Sequence, residues 1–261
     1  MTPGASAAAS LPEGWRVQVH AALPSTSDAL IRLAEAGEGE GLAVLAHRQT
    51  AGRGRGGRAW TSPEGNLHLS VLLRPDGPAR QAMRWPLLAG VALAEAAAEL
   101  DPEPAALRLK WPNDLLRHGA KVAGILAESA LAPGDPPRLA WLVLGFGVNL
   151  RAAPALPDGR PTATLPIAEP PEAFAARLIR RLDHWRAIQA ARGFAPVRAA
   201  WAALGPAPGE ALSVRAGTAS LSGRYAGLAE DGGLLLDTPE GRRHIIAGEV
   251  ATVAVAAQET G

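Results

Sequence analysis

Gln49-Thr50-Ala51-Gly52-Arg53-Gly54-Arg55-Gly56-Gly57-Arg58-Ala59-Trp60 is the stretch on which the choice of fold class turns. Four glycines are interleaved with three arginines, and the run closes on a tryptophan. Glycine lets a backbone pass through positive φ and come close to a ligand. Arginine adds a planar fork of donors that grips carboxylate or phosphate at two points. Gly52, Gly54 and Gly57 fit the spacing of a dinucleotide-binding fingerprint, and an apolar run, Gly41 to Ala46, precedes them. That fingerprint also needs a helix to open at the glycines. Pro63, Gly65 and Asn66 follow too soon for a long one, so the Rossmann reading is rejected. No glycine is followed by lysine, which excludes the phosphate loop of the nucleotide triphosphatases. A disordered Arg-Gly segment gripping single-stranded nucleic acid is usually repetitive, whereas this run occurs once, between two strand-like segments. It reads as a mobile loop that orders over a small anionic ligand.

Working outward, 261 residues fit one large domain or a large one with a small one, enough to bury a substantial core. Lys+Arg is 26 and Asp+Glu 25, so a net charge of +1 gives no global pull toward nucleic acid. Cysteine is absent, which removes disulfides, thiolate metal sites and a thiol nucleophile. No apolar run reaches membrane-spanning length, and Met1 to Pro12 lacks the basic start and apolar core of a signal peptide. A cytoplasmic protein is the expectation. Arginine carries nearly all the positive charge, and Lys110 and Lys121 are the only lysines. A compact ammonium does what a guanidinium cannot at a tight site, so both are functional candidates.

Along the chain, Trp15 to Ala21 alternates weakly like a strand. Ser25, Thr26, Ser27 and Asp28 then precede an apolar pattern at helical spacing. Hydroxyls and carboxylates there are N-cap chemistry, and they also suit a polar ligand head at a helix N-terminus. Gly41 to Ala46 and Asn66 to Leu73 read as the strands flanking the loop, and Gln81 to Leu100 as a helix. Leu107 to Leu109 reads as a strand running into Lys110-Trp111-Pro112-Asn113-Asp114, more chemistry than a turn requires. Leu115 to Val122 reads as a hairpin with Gly119 at its tip. Lys121 opens the next strand, whose interior Gly124 signals close approach of another group. Leu139 to Leu150 is a strand carrying Gly145-Phe146-Gly147-Val148-Asn149. Pro154 to Pro171 is irregular, and Pro171 to Arg192 and Pro196 to Leu204 read as helices with Trp185 and Trp201 in the core. Gly205 to Gly209 is the expected domain boundary. Beyond it, alternating runs broken by glycine (211–214, 219–228, 234–237, 244–247 and 250–255) indicate a small all-β barrel.

Together these motifs resemble the biotin protein ligases over nearly the whole chain. The resemblance rests on Ser25-Thr26, the Gly-Arg loop through Trp60, Lys110 to Asp114, Lys121 to Leu126 and Gly145 to Asn149. Gly223-Arg224, Asp231-Gly232 and Gly248-Glu249-Val250 match the family's small C-terminal domain. It implies an α+β fold: a mixed β-sheet catalytic domain flanked by helices over residues 1–205, and an SH3-like β-barrel over 206–261. It implies ATP-dependent activation of biotin as biotinyl-5'-AMP, with Mg2+, and transfer to a lysine of a biotin carboxyl carrier protein. By the same resemblance Lys121, Arg55 and Asp114 are catalytic. Ser25, Thr26, Ser27, Gln49, Arg53, Gly54, Arg55, Lys121 and Gly124 hold biotin. Arg53, Arg55, Trp60, Lys110, Asn113, Asp114 and Asn149 serve the nucleotide, and Asp114 is the candidate magnesium ligand. Ser27 stands where asparagine is usual, and His68 where an aromatic such as tyrosine is common. The DNA-binding domain of some members is not expected, since the motifs begin by Ser25; neither DNA nor membrane is an expected partner, and homodimerisation is left open. A lipoate-type ligase ranks second, because such sequences usually lack this Gly-Arg loop and this style of C-terminal barrel. A non-enzymatic RNA-binding module ranks third: one tyrosine, three phenylalanines and near-zero net charge argue against a stacking platform.

Overall fold

In the computed structural model of the chain, residues 10–216 and 219–252 are described. Twelve strands and four α-helices lie within them. The first strands are β1 (Arg16–Leu23), β2 (Leu42–Gln49) and β3 (Leu67–Leu73), followed by β4 (Leu107–Lys110), β5 (Asp114–Arg117), β6 (Ala120–Ala132) and β7 (Arg138–Val148). They form one sheet in the order β1-β2-β3-β7-β6-β5-β4. β1 and β2 are parallel, joined through helix α1 (Thr26–Glu35), and every other pair is antiparallel, so the sheet is mixed.

Period-two patterning sorts the strands onto two faces. Leu67, Leu69, Val71 and Leu73 of β3, with Leu142, Leu144, Phe146 and Val148 of β7, point into the main core. There they meet α2 (Arg84–Ala98), α3 (Pro171–Arg192) and α4 (Ala195–Leu204). α2 is buried nearly all round, which is why it reads as an Ala/Leu run without a polar face. Its start at Arg84 rather than Gln81 follows from a 3-10 turn over Ala79–Gln81. The opposite face carries Leu42, Val44, Leu72, Trp141 and Val143 against Leu30 and Ala34 of α1. Trp185 and Trp201 are buried in the main core, as the sequence suggests.

After Gly205 the strands β8 (Ala211–Ala216), β9 (Ala219–Leu228), β10 (Leu234–Thr238), β11 (Gly241–Ile245) and β12 (Glu249–Thr252) form an antiparallel sheet ordered β11-β10-β9-β8-β12. The described pairings do not close it into a barrel. β11 begins three residues before the apolar run at His244, because Arg242 and Arg243 sit on an exposed edge strand where charge is tolerated and no alternation marks the element. The part of the 250–255 run after Thr252 lies outside the described residues. This sheet is continuous with the main core through Leu212, Val214, Tyr225, Leu234 and Val250. Trp111 Nε1 donates to the Gly232 carbonyl at 3.1 Å and Arg84 Nε to that of Glu230 at 2.8 Å, tying it to the turn after β4 and to α2.

Candidate active site

The site lies on the α1 face, where the cross-strand register assembles a row from five strands. Lys110 pairs with Asp114, Asp114 with Gly124, Gly124 with Gly147, and Gly147 with His68. Two residues along β7 the next row runs Ser70, Gly145 and Leu126. The glycines are a packing requirement. A Cβ on Gly147 would overlap the Trp60 indole, and one on Gly145 would stand 2.7 Å from Ser27 Oγ. The indole lies across the row, its Nε1 edge over Gly147 and Cζ3 over Gly124.

One end of the pocket is polar but uncharged. Ser25 caps α1 by accepting from Asp28 N at 3.2 Å. Gln49 Oε1 accepts from Thr26 N at 2.8 Å and from its hydroxyl at 3.1 Å, while Gln49 Nε2 donates to Ser62 Oγ at 2.9 Å. Ser70 Oγ stands 2.7 Å from Thr26 Oγ1 and 3.0 Å from Ser27 Oγ. The N-terminus of α1 therefore presents a hydroxyl and amide cluster suited to an uncharged polar ligand head.

The other end is charged. Lys121 Nζ stands 2.6 Å from Asp114 Oδ1 and 5.5 Å from the centre of the Trp60 ring. Its backbone is held by the irregular segment: Lys121 N donates to Pro161 O, and Ala163 N to Lys121 O. Arg160, from the same segment, reaches Asp114 Oδ2 at 3.6 Å and Asp158 Oδ2 at 2.8 Å. Arg55 donates to Asn113 Oδ1 at 3.3 Å and to the Gly248 carbonyl at 3.4 Å. Burial lowers its pKa while Asp114 and Glu249 oppose the shift. Burial likewise lowers that of Lys110, and Arg160 adds to the effect. Burial alone would raise the Glu249 carboxyl, but Arg58 and Arg215 hold it below its ordinary range. The Arg58–Glu249 ion pair joins the Gly-Arg loop directly to β12. Arg53 is clasped by Asp28 on α1 (2.5 Å) and Glu128 on β6 (2.9 Å), and the Glu128 hydrogen bond raises its pKa.

The pocket brings together Ser25, Thr26, Ser27, Gln49, Arg53, Gly54, Arg55, Trp60, Asn113, Asp114, Lys121 and Gly124 from the sequence reading. Lys110 and Asn149 are outside its lining. Asn149 is buried behind it, donating to the Ala163 carbonyl at 3.1 Å. Sequence reasoning missed Ser70, Arg58, Asp158, Arg160 and Glu249 as lining residues. Ser70 was legible in principle, two positions from His68 on one strand face. Arg160 carries no periodic signal, and only the fold brings it to Asp114.

Residues 20–146 match the biotin/lipoate A/B protein ligase family, and residues 209–252 the biotin protein ligase C-terminal domain. A biotin–[acetyl-CoA-carboxylase] ligase of Paracoccus denitrificans is 41% identical over 215 residues, covering 79% of this chain and 88% of the relative. The bifunctional ligase/repressor BirA of Bacillus subtilis is 31% identical, covering 91% and 74%. The biotin protein ligase of Aquifex aeolicus, solved with biotin and ATP, superimposes with a TM-score of 0.71 at 27% identity, covering 90% of this chain and 97% of that one. The chain belongs to the biotin protein ligase family.

Proposed function

We infer that the chain joins biotin to the AMP part of ATP, releasing pyrophosphate, and passes the biotinyl group to a carrier lysine, as a biotin–[acetyl-CoA-carboxylase] ligase. A carboxylate resists attack by an amine, so it must first be activated. A biotin carboxylate oxygen attacks the α-phosphorus, the bond to the β-phosphate breaks, and pyrophosphate leaves. The ε-amine of the carrier lysine then attacks the carbonyl carbon, loses a proton, and AMP departs with the bridging oxygen. The observation that carries this reading is the polarity of the pocket: a hydroxyl and amide cluster at one end, and the Lys121–Asp114 pair with Arg55 and Arg160 at the other.

In this reading Ser25, Thr26, Ser27 and Gln49 receive the ureido end of biotin. Gly124, with Arg53 and Gly54 of the loop, flanks the rest of the molecule. Lys121 and Arg55 face the carboxylate and α-phosphate, where fixed cations favour the charge that develops in the transition state. Trp60, Lys110, Asn113 and Asn149 support the nucleotide. Among the described residues no group of three or more His, Cys, Asp or Glu could hold a metal. Magnesium arriving on the triphosphate needs few protein ligands, and Asp114 is the carboxylate placed to supply one. We also propose a domain division at Gly205, closure of the C-terminal sheet into an SH3-like barrel, and a cytoplasmic location, since the reaction consumes ATP. Among the described residues no helix is long and apolar enough to cross a membrane.

The test is pyrophosphate exchange into ATP with biotin, lipoate or neither. Exchange that requires biotin is expected, followed by labelling of a carrier domain. Exchange with lipoate but not biotin overturns the assignment.

A further inference from the structure

The row across the sheet ends in two polar atoms that the reaction scheme does not use. His68 is 1% exposed, and its Nε2 stands 3.1 Å from the Pro63 carbonyl. A carbonyl only accepts, so Nε2 carries the hydrogen. Burial lowers the pKa of the ring, with the Pro63 bond opposing. In the neutral ring Nδ1 is therefore a bare acceptor. Among the described residues neither His68 Nδ1 nor Trp60 Nε1, also buried, finds a hydrogen-bond partner. One is an acceptor and the other a donor, and register places them together: His68 pairs with Gly147, and the Nε1 edge of the indole lies over Gly147, 2.6 Å from where a Cβ would stand. Buried polar groups are rarely left unpaired, and here each has what the other lacks.

We propose that His68 is a positioning residue of the ligase site: one water, accepting from Trp60 Nε1 and donating to His68 Nδ1, links the two rings and sets the indole across Gly147 and Gly124. The indole is the surface above which the Lys121 ammonium stands, 5.5 Å from the ring centre. His68 thus acts on the reacting end of the pocket through Trp60 and touches no substrate itself. A phenol at this position presents its polar atom farther from the strand; the imidazole holds its second nitrogen by Pro63 and leaves Nδ1 close to Gly147. The proposal rests on the ligase reading of the pocket, and one of its two readouts is independent of activity.

Three variants test it: Trp60→Phe, His68→Phe and His68→Gln, with the double Trp60→Phe/His68→Phe. Indole N–H resonances of the full chain are recorded, and the one absent from Trp60→Phe belongs to Trp60. It should move upfield in His68→Phe, where the acceptor is gone, and return most of the way in His68→Gln, whose amide supplies both an acceptor and a donor for Pro63. In biotin-dependent pyrophosphate exchange, His68→Phe should lower kcat by about tenfold, the worth of one buried hydrogen bond, with the KM for biotin little changed. The double variant should be no slower than Trp60→Phe alone, because both changes cut one link. An unmoved Trp60 resonance, or single-variant losses that multiply in the double, overturns the proposal. Absence of biotin-dependent exchange in the wild type would instead sink the ligase reading, while the resonance shift would still decide the contact.

Discussion

Lys121 shows how much a single residue decides at this site. Its ammonium is held between Asp114 and the Trp60 ring, with its backbone fixed on both sides by the 161–163 segment. A guanidinium is broader and cannot occupy that gap with the same contacts. Lys121→Ala should slow adenylate formation by roughly a hundredfold or more, the usual cost of losing one preorganised group at developing charge. Lys121→Arg should not restore it, and single-turnover rates near wild type for the arginine variant would show the lysine is incidental. His68 sets a second, independent expectation. Its pKa is lowered in the folded chain, so the unfolded chain binds a proton first as pH falls. Stability is therefore lost below the ordinary histidine value of about 6.5 and continues to fall until the folded ring itself titrates. His68→Phe removes this contribution. Between about pH 7.5 and about pH 5.5 its melting temperature should fall less than that of the wild type. Parallel curves would mean that the ring titrates alike in the folded and unfolded chains.

At the scale of elements, β7 does what helices do in many pockets: it builds the floor. Gly145 and Gly147 lie two apart on the side of the strand that faces α1, while Leu144, Phe146 and Val148 face the core. One strand thus serves packing and the site on alternate residues. Glycine is a poor strand former, so its use at both positions marks a site where ligand or indole must approach the backbone. Gly147→Ala should leave the fold in place, since strand propensity improves, yet displace the Trp60 ring that a Cβ would overlap. The affinity for ATP, read by calorimetric titration with biotin present, should fall by about tenfold or more. Unchanged affinity would place the ligand away from this row. The Arg53 clasp illustrates the same economy in the loop: one guanidinium joins α1 to β6 across the mouth of the pocket through Asp28 and Glu128.

For the whole molecule, the two sheets share one hydrophobic core. Leu212, Val214, Tyr225, Leu234 and Val250 belong to the same cluster as α2 and β7. The Tyr225 phenol is pushed up to about 12 by burial, a sign of how dry that seam is. Gly248 and Glu249 touch Arg55 and Arg58 of the loop, so the C-terminal sheet bears on the pocket as well. A chain ended at Leu204 should therefore lose stability along with activity. Its melting temperature should drop by roughly 10 °C or more, given that each kcal/mol shifts a chain of this size by about 2–4 °C. A truncated chain that melts like the full one, by calorimetry, would show the two sheets to be energetically independent.

The sequence by itself determined the order of elements, the loop between β2 and β3, the glycine pair on β7 and the family, because these are written in local patterns: turn glycines, caps, period-two alternation and motif spacing. Pro171–Arg192 is an α-helix over the span its sequence suggests, since proline opens it and glycine follows it. What only the tertiary structure decided is which distant residues share the pocket. Arg160 comes from a stretch with no regular period, and Glu249 from the far end of the chain, yet both stand within 4 Å of groups at the charged end. The same holds for the row from Lys110 to His68, assembled from five strands whose register depends on every pairing between them. Long-range electrostatics and cross-strand neighbours are properties of the packed sheet, and no local pattern encodes them.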